Sequence, residues 1–232
     1  MEVSYNKRAL YLFDFCDTLV SFQTANSYVQ YVKKKKDIQC RVMDFIVFIV
    51  KKIKLNRIIK IFLHNNMSLD KFILLYELKG ISYEEMDLLA KEFYEKRIKK
   101  CLNKQIIDEL LFAKSLGCTI GIISGGYDIY IKYFAKEFDI PIVISSELNF
   151  FNGFFSGKLK NKDCMGEEKV KKLLMFFNTR RLHNLFTRVV GYSDSDSDLP
   201  FLSLCDEKYV VLREKKEVSQ WIKCIDAKII RV

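Results

Sequence analysis

Two acid clusters, each at the end of an apolar run, define the chemistry open to this chain. The first is Phe13-Asp14-Phe15-Cys16-Asp17-Thr18-Leu19, where a strand-like run breaks abruptly into carboxylates and a hydroxyl. In the second, Val189-Val190-Gly191-Tyr192 leads into Ser193-Asp194-Ser195-Asp196-Ser197-Asp198-Leu199-Pro200. Acids gathered at one sheet edge repel each other unless a cation neutralises them, and oxygen ligands of this kind suit Mg²⁺. Plainer readings stand beside this one. Asp17 or Thr18 could cap a following helix, and Asp194 to Asp198 could be a calcium loop, although the glycine and twelfth-position glutamate of such a loop are missing. A third segment, Ile122-Ile123-Ser124-Gly125-Gly126, opens onto a helix beginning near Tyr127. A hydroxyl and unobstructed amides at a helix N-terminus make an anion cradle, while Ser-Gly-Gly is also an ordinary strand-to-helix loop. Finally, Gly166-Glu167-Glu168-Lys169 starts a helix, from which Lys169 could reach a bound phosphate or balance the acids.

These residues must be held by elements that the pattern predicts. Strand-like runs rich in Val, Ile, Phe and Tyr lie at Ala9 to Phe15, Cys118 to Ile123, Ile142 to Ser145, Val189 to Tyr192 and Tyr209 to Leu212. Helix-period segments at Tyr127 to Phe138 and Glu167 to Phe177 alternate with the later strands. That order implies a parallel sheet covered on both faces, a three-layer Rossmann-like α/β core. Ligands in such folds bind at the carboxyl ends of the strands, where the acid clusters fall. Between the first strand and residue 105 the pattern is helical, at Ser27 to Lys36, Cys40 to Lys54, Leu69 to Leu78 and Tyr83 to Lys99. The expected division is a core of 1–19 and 105–232 with a helical cap subdomain of 20–104 inserted. Asn152-Gly153 between aromatic pairs predicts a type I′ hairpin over Phe150 to Leu159.

Composition narrows the function classes. Of 232 residues half are hydrophobic, and Gly plus Pro total 11, which excludes disordered and collagen-like chains. The apolar run Phe45 to Val50 is far short of the roughly 18 residues that a spanning helix needs, and the N-terminus has no export signal, so the cytoplasm is the expected location. Seven cysteines without a C-x-x-C pair read as reduced thiols, and two histidines far apart, His64 and His183, argue against zinc. The net charge of +10 is local. Segment 33–60 holds ten basic residues (Lys33, Lys34, Lys35, Lys36, Arg41, Lys51, Lys52, Lys54, Arg57, Lys60) against Asp37 and Asp44, giving +8 and leaving +2 elsewhere. This amphipathic basic segment is either a solvated lysine face or a surface that attracts an anionic substrate, a lipid-linked substrate or an anionic membrane. Nucleic acid is not expected, because no binding motif accompanies the charge.

Taken in order, the four segments resemble the haloacid dehalogenase superfamily of phosphatases, most closely its phosphoserine-phosphatase-like branch. The resemblance covers essentially the whole chain and includes Phe154-Phe155-Ser156-Gly157-Lys158-Leu159 leading to Cys164-Met165-Gly166-Glu167-Glu168-Lys169. It implies a small phosphomonoester as substrate and Mg²⁺ as cofactor. By the same resemblance Asp14 is the nucleophile that forms an aspartyl-phosphate, Ser124 and the Gly125 amide hold the phosphate, and Lys169 steadies its charge. Asp194, supported by Asp198, would ligate Mg²⁺ together with the Asp14 carboxylate and the main-chain carbonyl of Cys16. One departure is plain: Cys16 stands where the family's second aspartate protonates the leaving group and activates water. A thiol donates weakly, and loss of acid–base help typically costs about 10² to 10⁴ in rate. Asp17 replaces it only if the turn is re-registered, and Thr18 then loses its place. Phosphotransfer to another acceptor, another reaction of the superfamily that does not need the second aspartate, and a binding module whose chemistry has lapsed are the alternatives. Gln23, Glu77 and Arg97 are candidate substrate contacts in the cap, and each could equally be an ordinary helix-surface residue.

Overall fold

A computed structural model describes residues 8–38 and 67–232. The predicted helix Cys40 to Lys54, His64 and six of the ten clustered basic residues lie outside them. Strand β1 (Ala9–Phe13) is followed by helix α1 (Thr24–Lys35), α2 (Leu69–Tyr76), α3 (Tyr83–Phe93) and α4 (Lys104–Ser115). The chain then alternates: β2 (Thr119–Tyr127), α5 (Asp128–Glu137), β3 (Ile142–Ser146), the hairpin β4 (Leu148–Phe151) and β5 (Phe154–Leu159), then α6 (Glu167–Phe176). It closes with β6 (Arg188–Ser193), the short α7 (Leu199–Leu202), β7 (Glu207–Leu212), α8 (Gln220–Cys224) and β8 (Lys228–Arg231).

Six strands form one sheet in the order β3-β2-β1-β6-β7-β8, and every neighbouring pair is parallel. Side-chain alternation in the central strand explains the layers. Tyr11 and Phe13 pack into one buried cluster with Ile106 and Leu110 of α4. Leu10 and Leu12 face the other side, with Leu173 of α6 and Phe201 and Leu202 of α7. A strand buried on both faces carries no polar position, which is why ALYLF is apolar throughout. The fold class is therefore the three-layer Rossmann-like α/β arrangement that the pattern predicts.

Several boundaries differ from those the pattern predicts. β1 ends at Phe13 rather than Phe15, because the chain turns at Asp14 to Asp17, the last with φ of 53°. β2 runs on through Ser124, Gly125 and Gly126 to Tyr127, with a register shift against β3 between Ile123 and Tyr127, so the Ser124-Gly125-Gly126 segment is an irregular strand end and not an open loop. The helix predicted to reach Lys99 leaves α geometry after Phe93 and passes into a π turn at Tyr94–Ile98. Neither Asp17 nor Thr18 caps a helix, since α1 starts at Thr24 behind Gln23. Asn152 and Gly153 both have positive φ, 49° and 82°, as a type I′ hairpin requires. Where the chain leaves and re-enters the sheet layer, its two crossings run side by side: Asn103 N–H donates to the Leu19 carbonyl and Ser21 N–H to that of Cys101, both at 2.9 Å.

The described part of the basic run is largely neutralised within the molecule. Lys33 pairs with Glu77 at 2.7 Å, Lys35 with Glu92 at 2.7 Å, and Lys36 with Glu85. The helical region thus supplies its own acids to this stretch. Among the described residues, no helix is long and apolar enough to cross a membrane.

Candidate active site

Register brings the two acid clusters together. Phe13 of β1 lies opposite Tyr192 of β6, and the Asp14 N–H donates to the Tyr192 carbonyl at 2.9 Å. Both strands therefore end at the same edge. Gly191 lets α7 lie close on β6: a Cβ there would meet Cys205 Sγ at 2.6 Å and Leu202 Cδ2 at 3.0 Å. That close approach fixes the turn holding Asp194 and Asp198. Its 3₁₀ turn, Asp196–Asp198, is capped by the Ser195 hydroxyl, which accepts from the Ser197 N–H.

Lys169 links the clusters. It enters from the first turn of α6, is 1% exposed, and its Nζ donates at 2.7 Å to Asp14 Oδ1 and at 2.7 Å to Asp198 Oδ2. The Ser193 hydroxyl also donates to Asp198 Oδ2, at 2.7 Å. An ammonium buried between two carboxylates is held firmly in its charged form: burial opposes the charge, and Asp14 and Asp198 restore it, raising its pKa above the ordinary lysine value. Asp14 and Asp194 are instead shifted toward their neutral forms. Burial raises Asp14 to about 6, against the lowering effect of Lys169. Burial, helped by the negative charge of Asp14, Asp17 and Asp198, raises Asp194 to about 7.

Asp14, Cys16, Ser124, Gly125, Lys169, Asp194 and Asp198 all line one cavity of about 220 Å³. Ser124 is fully buried, and its hydroxyl oxygen accepts the Gly126 N–H at 3.1 Å, which leaves the hydroxyl hydrogen for a guest oxygen. Gln23, Asn26 and Ser68 also face the cavity from the helical region.

The donor set fits a divalent cation. Asp14, Asp163, Asp194 and Asp198 bring four negative charges to one cavity against the two positive charges of Lys71 and Lys169, a surplus of two. Asp198 Oδ1 is buried without a hydrogen-bond partner. Among the described residues no three His, Cys, Asp or Glu side chains converge as a ready-made metal cage. Mg²⁺ does not need one, since it is usually held by one or two carboxylates with carbonyl and water oxygens making up the shell.

Cys16 is buried, and its Sγ lies 2.9 Å from Thr24 Oγ1, which is in turn 2.8 Å from the Tyr130 hydroxyl. Tyr130 accepts the Tyr127 N–H at 2.9 Å. Burial, reinforced by the Asp14 charge, pushes the Cys16 thiol up to about 11, so at neutral pH it keeps its proton and cannot act as a base. Asp17 does not replace it. Its two carboxylate oxygens are taken by Gln23 Nε2 and Arg213 Nη2, both at 2.6 Å, and it is not among the residues lining the cavity.

Of the three candidate cap contacts, only Gln23 faces the cavity. Glu77 is buried against Lys33, and Arg97 is exposed on the π turn. Sequence reasoning missed Lys71 and Asp163, which line the cavity and meet at 2.7 Å. Neither sits in a recognisable motif. The signal that could have found Lys71 is a lone lysine in the apolar stretch LDKFILLY.

A family model for haloacid dehalogenase-like hydrolases matches residues 11–203, and the chain belongs to that family. Two curated relatives are phosphoserine phosphatases, from Streptococcus thermophilus (29% identical over 99 residues, 43% of this chain) and from Lactococcus lactis subsp. lactis (28% over 95 residues, 41% of this chain). The chain spans less than half the length of these relatives, 44% and 42%. Among solved structures, a protein of unknown function from Bordetella pertussis Tohama I superposes with a TM-score of 0.74 at 16% identity, over 96% of this chain and 98% of the other. A phospho-aspartyl intermediate analogue of phosphoserine phosphatase superposes with a TM-score of 0.55 at 17% identity, over 95% and 92%. These two likenesses speak to the fold.

Proposed function

We propose that this haloacid dehalogenase-like hydrolase is a Mg²⁺-dependent phosphatase of small phosphomonoesters, similar to phosphoserine phosphatase and working through an aspartyl-phosphate on Asp14. The observation that carries the reading is Lys169 at 2.7 Å from both Asp14 and Asp198, at the wall of a cavity that Ser124 and Gly125 also line. Bringing a carboxylate to an anionic phosphate requires cationic and hydrogen-bond donors already in place, because the repulsion must be offset before the bond forms. Asp14, the carbonyl of Cys16 and Asp194 would hold Mg²⁺, with Asp198 as supporting acid. That ion supplies charge neutralisation for the phosphoryl oxygens.

The chain's own residues divide the work. Asp14 attacks phosphorus, and the bond to the leaving oxygen breaks. Lys169 fixes Asp14 Oδ1 and screens the phosphoryl charge, while the Ser124 hydroxyl and the Gly125 amide hold its oxygens. Water then attacks the aspartyl-phosphate, releasing phosphate and restoring the carboxylate. Cys16 helps little in either half. With its proton retained it donates weakly to the leaving oxygen and takes no proton from water. Turnover is accordingly slow for alkyl phosphates and less impaired where the leaving group needs no proton. The neutral thiol also supports a second reading, transfer of the phosphoryl group from Asp14 to an acceptor other than water.

Residues 20–104 act in this reading as a cap that closes over the cavity and excludes water, the paired crossings at Leu19–Ser21 and Cys101–Asn103 being its hinge. The described cysteines are free, in keeping with a reducing cytoplasm. The experiment is phosphate release with and without Mg²⁺ across a phosphomonoester panel, comparing native protein with Asp14→Asn. Mg²⁺-dependent turnover that disappears in Asp14→Asn supports hydrolysis. Turnover in Asp14→Asn above a tenth of native overturns it.

A further inference from the structure

Lys71 is a buried lysine projecting from α2 of the helical region onto the strand end that carries the phosphate-holding residues. Its Nζ donates to the Gly125 carbonyl at 2.9 Å and to Asp163 Oδ1 at 2.7 Å, and it lies 5.1 Å from the centre of the Tyr127 ring. Asp163 is itself fixed from the core, because its Oδ1 accepts the Ser146 hydroxyl at 2.6 Å, and Ser146 in turn accepts the Cys164 N–H at 2.9 Å. The core thus presents two ready acceptors, and one cation from the helical region satisfies both.

The peptide that Lys71 touches is the one that holds Ser124. The Gly125 carbonyl and the Gly126 N–H belong to the same amide, and that N–H donates to Ser124 Oγ at 3.1 Å. A cation on a carbonyl oxygen polarises the amide and strengthens its N–H as a donor, so the two hydrogen bonds reinforce each other. Space keeps the peptide in place as well. A Cβ on Gly125 would meet Met165 Sδ at 2.3 Å, and one on Gly126 would meet the Tyr130 hydroxyl at 2.8 Å.

Resting on the phosphatase reading, we propose that Lys71 is a positioning residue through which cap closure prepares the phosphate site. With the cap seated, Lys71 clamps the Gly125–Gly126 peptide, the Gly126 N–H holds Ser124 Oγ, and the Ser124 hydroxyl hydrogen points to the phosphate. With the cap lifted, that chain is broken and phosphate is held more weakly. Lys71 acts through Ser124 and its charge is already matched by Asp163, so it is not a second counter-ion for the substrate.

The test is binding of inorganic phosphate in Mg²⁺, followed by calorimetry, for native protein, Lys71→Met, Lys71→Arg, Asp163→Asn, Ser124→Ala and the Lys71→Met/Ser124→Ala double variant. Lys71→Met is expected to weaken phosphate about tenfold or more, and Lys71→Arg to recover most of it. In the Ser124→Ala background Lys71→Met is expected to cost less than about twofold further, because the route to phosphate is already cut. Equal losses in both backgrounds, or phosphate binding by Lys71→Met within twofold of native, overturn the proposal. Should Lys71→Met fail to fold, Asp163→Asn carries the test, with a loss of at least threefold expected and unchanged binding overturning it. Native protein that binds phosphate but turns over no phosphomonoester refutes the phosphatase reading and leaves the Lys71 result standing; native protein that binds no phosphate refutes both.

Discussion

Restoring a carboxyl group at position 16 should raise the rate selectively for substrates with poor leaving groups. Cys16→Asp places an acid where a thiol now lies 2.9 Å from Thr24 Oγ1 and lines the cavity with Asp14 and Asp194. Two hydroxyls, Thr24 and Tyr130, are already linked there at 2.8 Å, so the new group gains hydrogen-bonding partners. Its surroundings share with those that raise Asp194 burial and the charge of Asp14, which also push the Cys16 thiol up. A carboxyl group raised in this way holds its proton near neutral pH and is suited to general acid catalysis. Recovery of about 10² to 10⁴ in rate corresponds to about 2.7 to 5.4 kcal/mol of transition-state stabilisation at about 1.36 kcal/mol per decade. Burial of a further carboxyl among three others offsets part of this, so the lower end, about a hundredfold, is the expected gain. The assay is kcat/KM in Mg²⁺ at pH 7 for an alkyl phosphomonoester and for p-nitrophenyl phosphate, whose leaving group departs without a proton. A hundredfold gain for the alkyl ester with less than about tenfold for the aryl ester is expected. Equal gains for both, or none for the alkyl ester in a variant that melts normally, would refute the acid–base account of position 16.

Three further outcomes follow from the site and its supports. Lys169→Met leaves the buried Asp14 and Asp198 without their cation, a loss of about 3 to 5 kcal/mol, which for a chain of this size lowers the melting temperature by about 6 to 20 °C, with added Mg²⁺ recovering part of it. An unchanged melting curve would show that the two carboxylates do not depend on Lys169. In metal-free protein Asp14 and Asp194, raised to about 6 and about 7, keep protons that the unfolded chain has released by about pH 4. The folded state thus binds more protons between about pH 4 and 7, so their contribution to stability is present at the acid end and lost as pH rises through that window. Mg²⁺ should flatten the decline, and melting curves at pH 5 and 7 with and without the ion check it; a metal-free protein whose acid-site contribution grows toward pH 7 contradicts the assignment. Gly191→Ala forces a methyl group against Cys205 Sγ at 2.6 Å and Phe201 Cε2 at 3.1 Å, costing about 1 to 3 kcal/mol and displacing the Asp194 turn, so a fall in both melting temperature and Mg²⁺ affinity is expected by thermal melting and titration.

What was legible in the sequence depends on how far each residue's partners lie along the chain. Asp14 and the Asp194 to Asp198 cluster could be read because a strand end is a local event: an apolar run stops, polar residues begin, and the parallel sheet places all such ends at one edge. The reach of Lys169 followed from its place at the start of a helix. The extension of β2 through Ser124 to Tyr127 was not legible, since glycines weigh against a strand while the register shift that accommodates them is set by β3. Cap contacts fared worst. Gln23, Glu77 and Arg97 are equally polar residues in helical surroundings, and only tertiary packing separates Gln23 in the cavity from Glu77 buried against Lys33.

Lys71 shows why such residues escape pattern reading. In LDKFILLY it has the form of a solvated interruption on an amphipathic helix, and the acid that matches it is 92 positions away. Nothing near Asp163 marks it as a partner either. Yet a lysine that is 8% exposed must have its charge matched and its donors occupied, because an unpaired buried ammonium is too costly to persist. Burial therefore demanded partners, and these are Asp163 and the carbonyl of the Gly125–Gly126 peptide. The departure at Cys16 has the opposite character: it is visible in the sequence at once, but its consequence is not. Only the packing around it, with Thr24 and Tyr130 completing a buried polar chain, shows that the thiol is enclosed; burial and the Asp14 charge then push its pKa up, so that in the proposed phosphatase a weak acid–base step follows from the folded site itself.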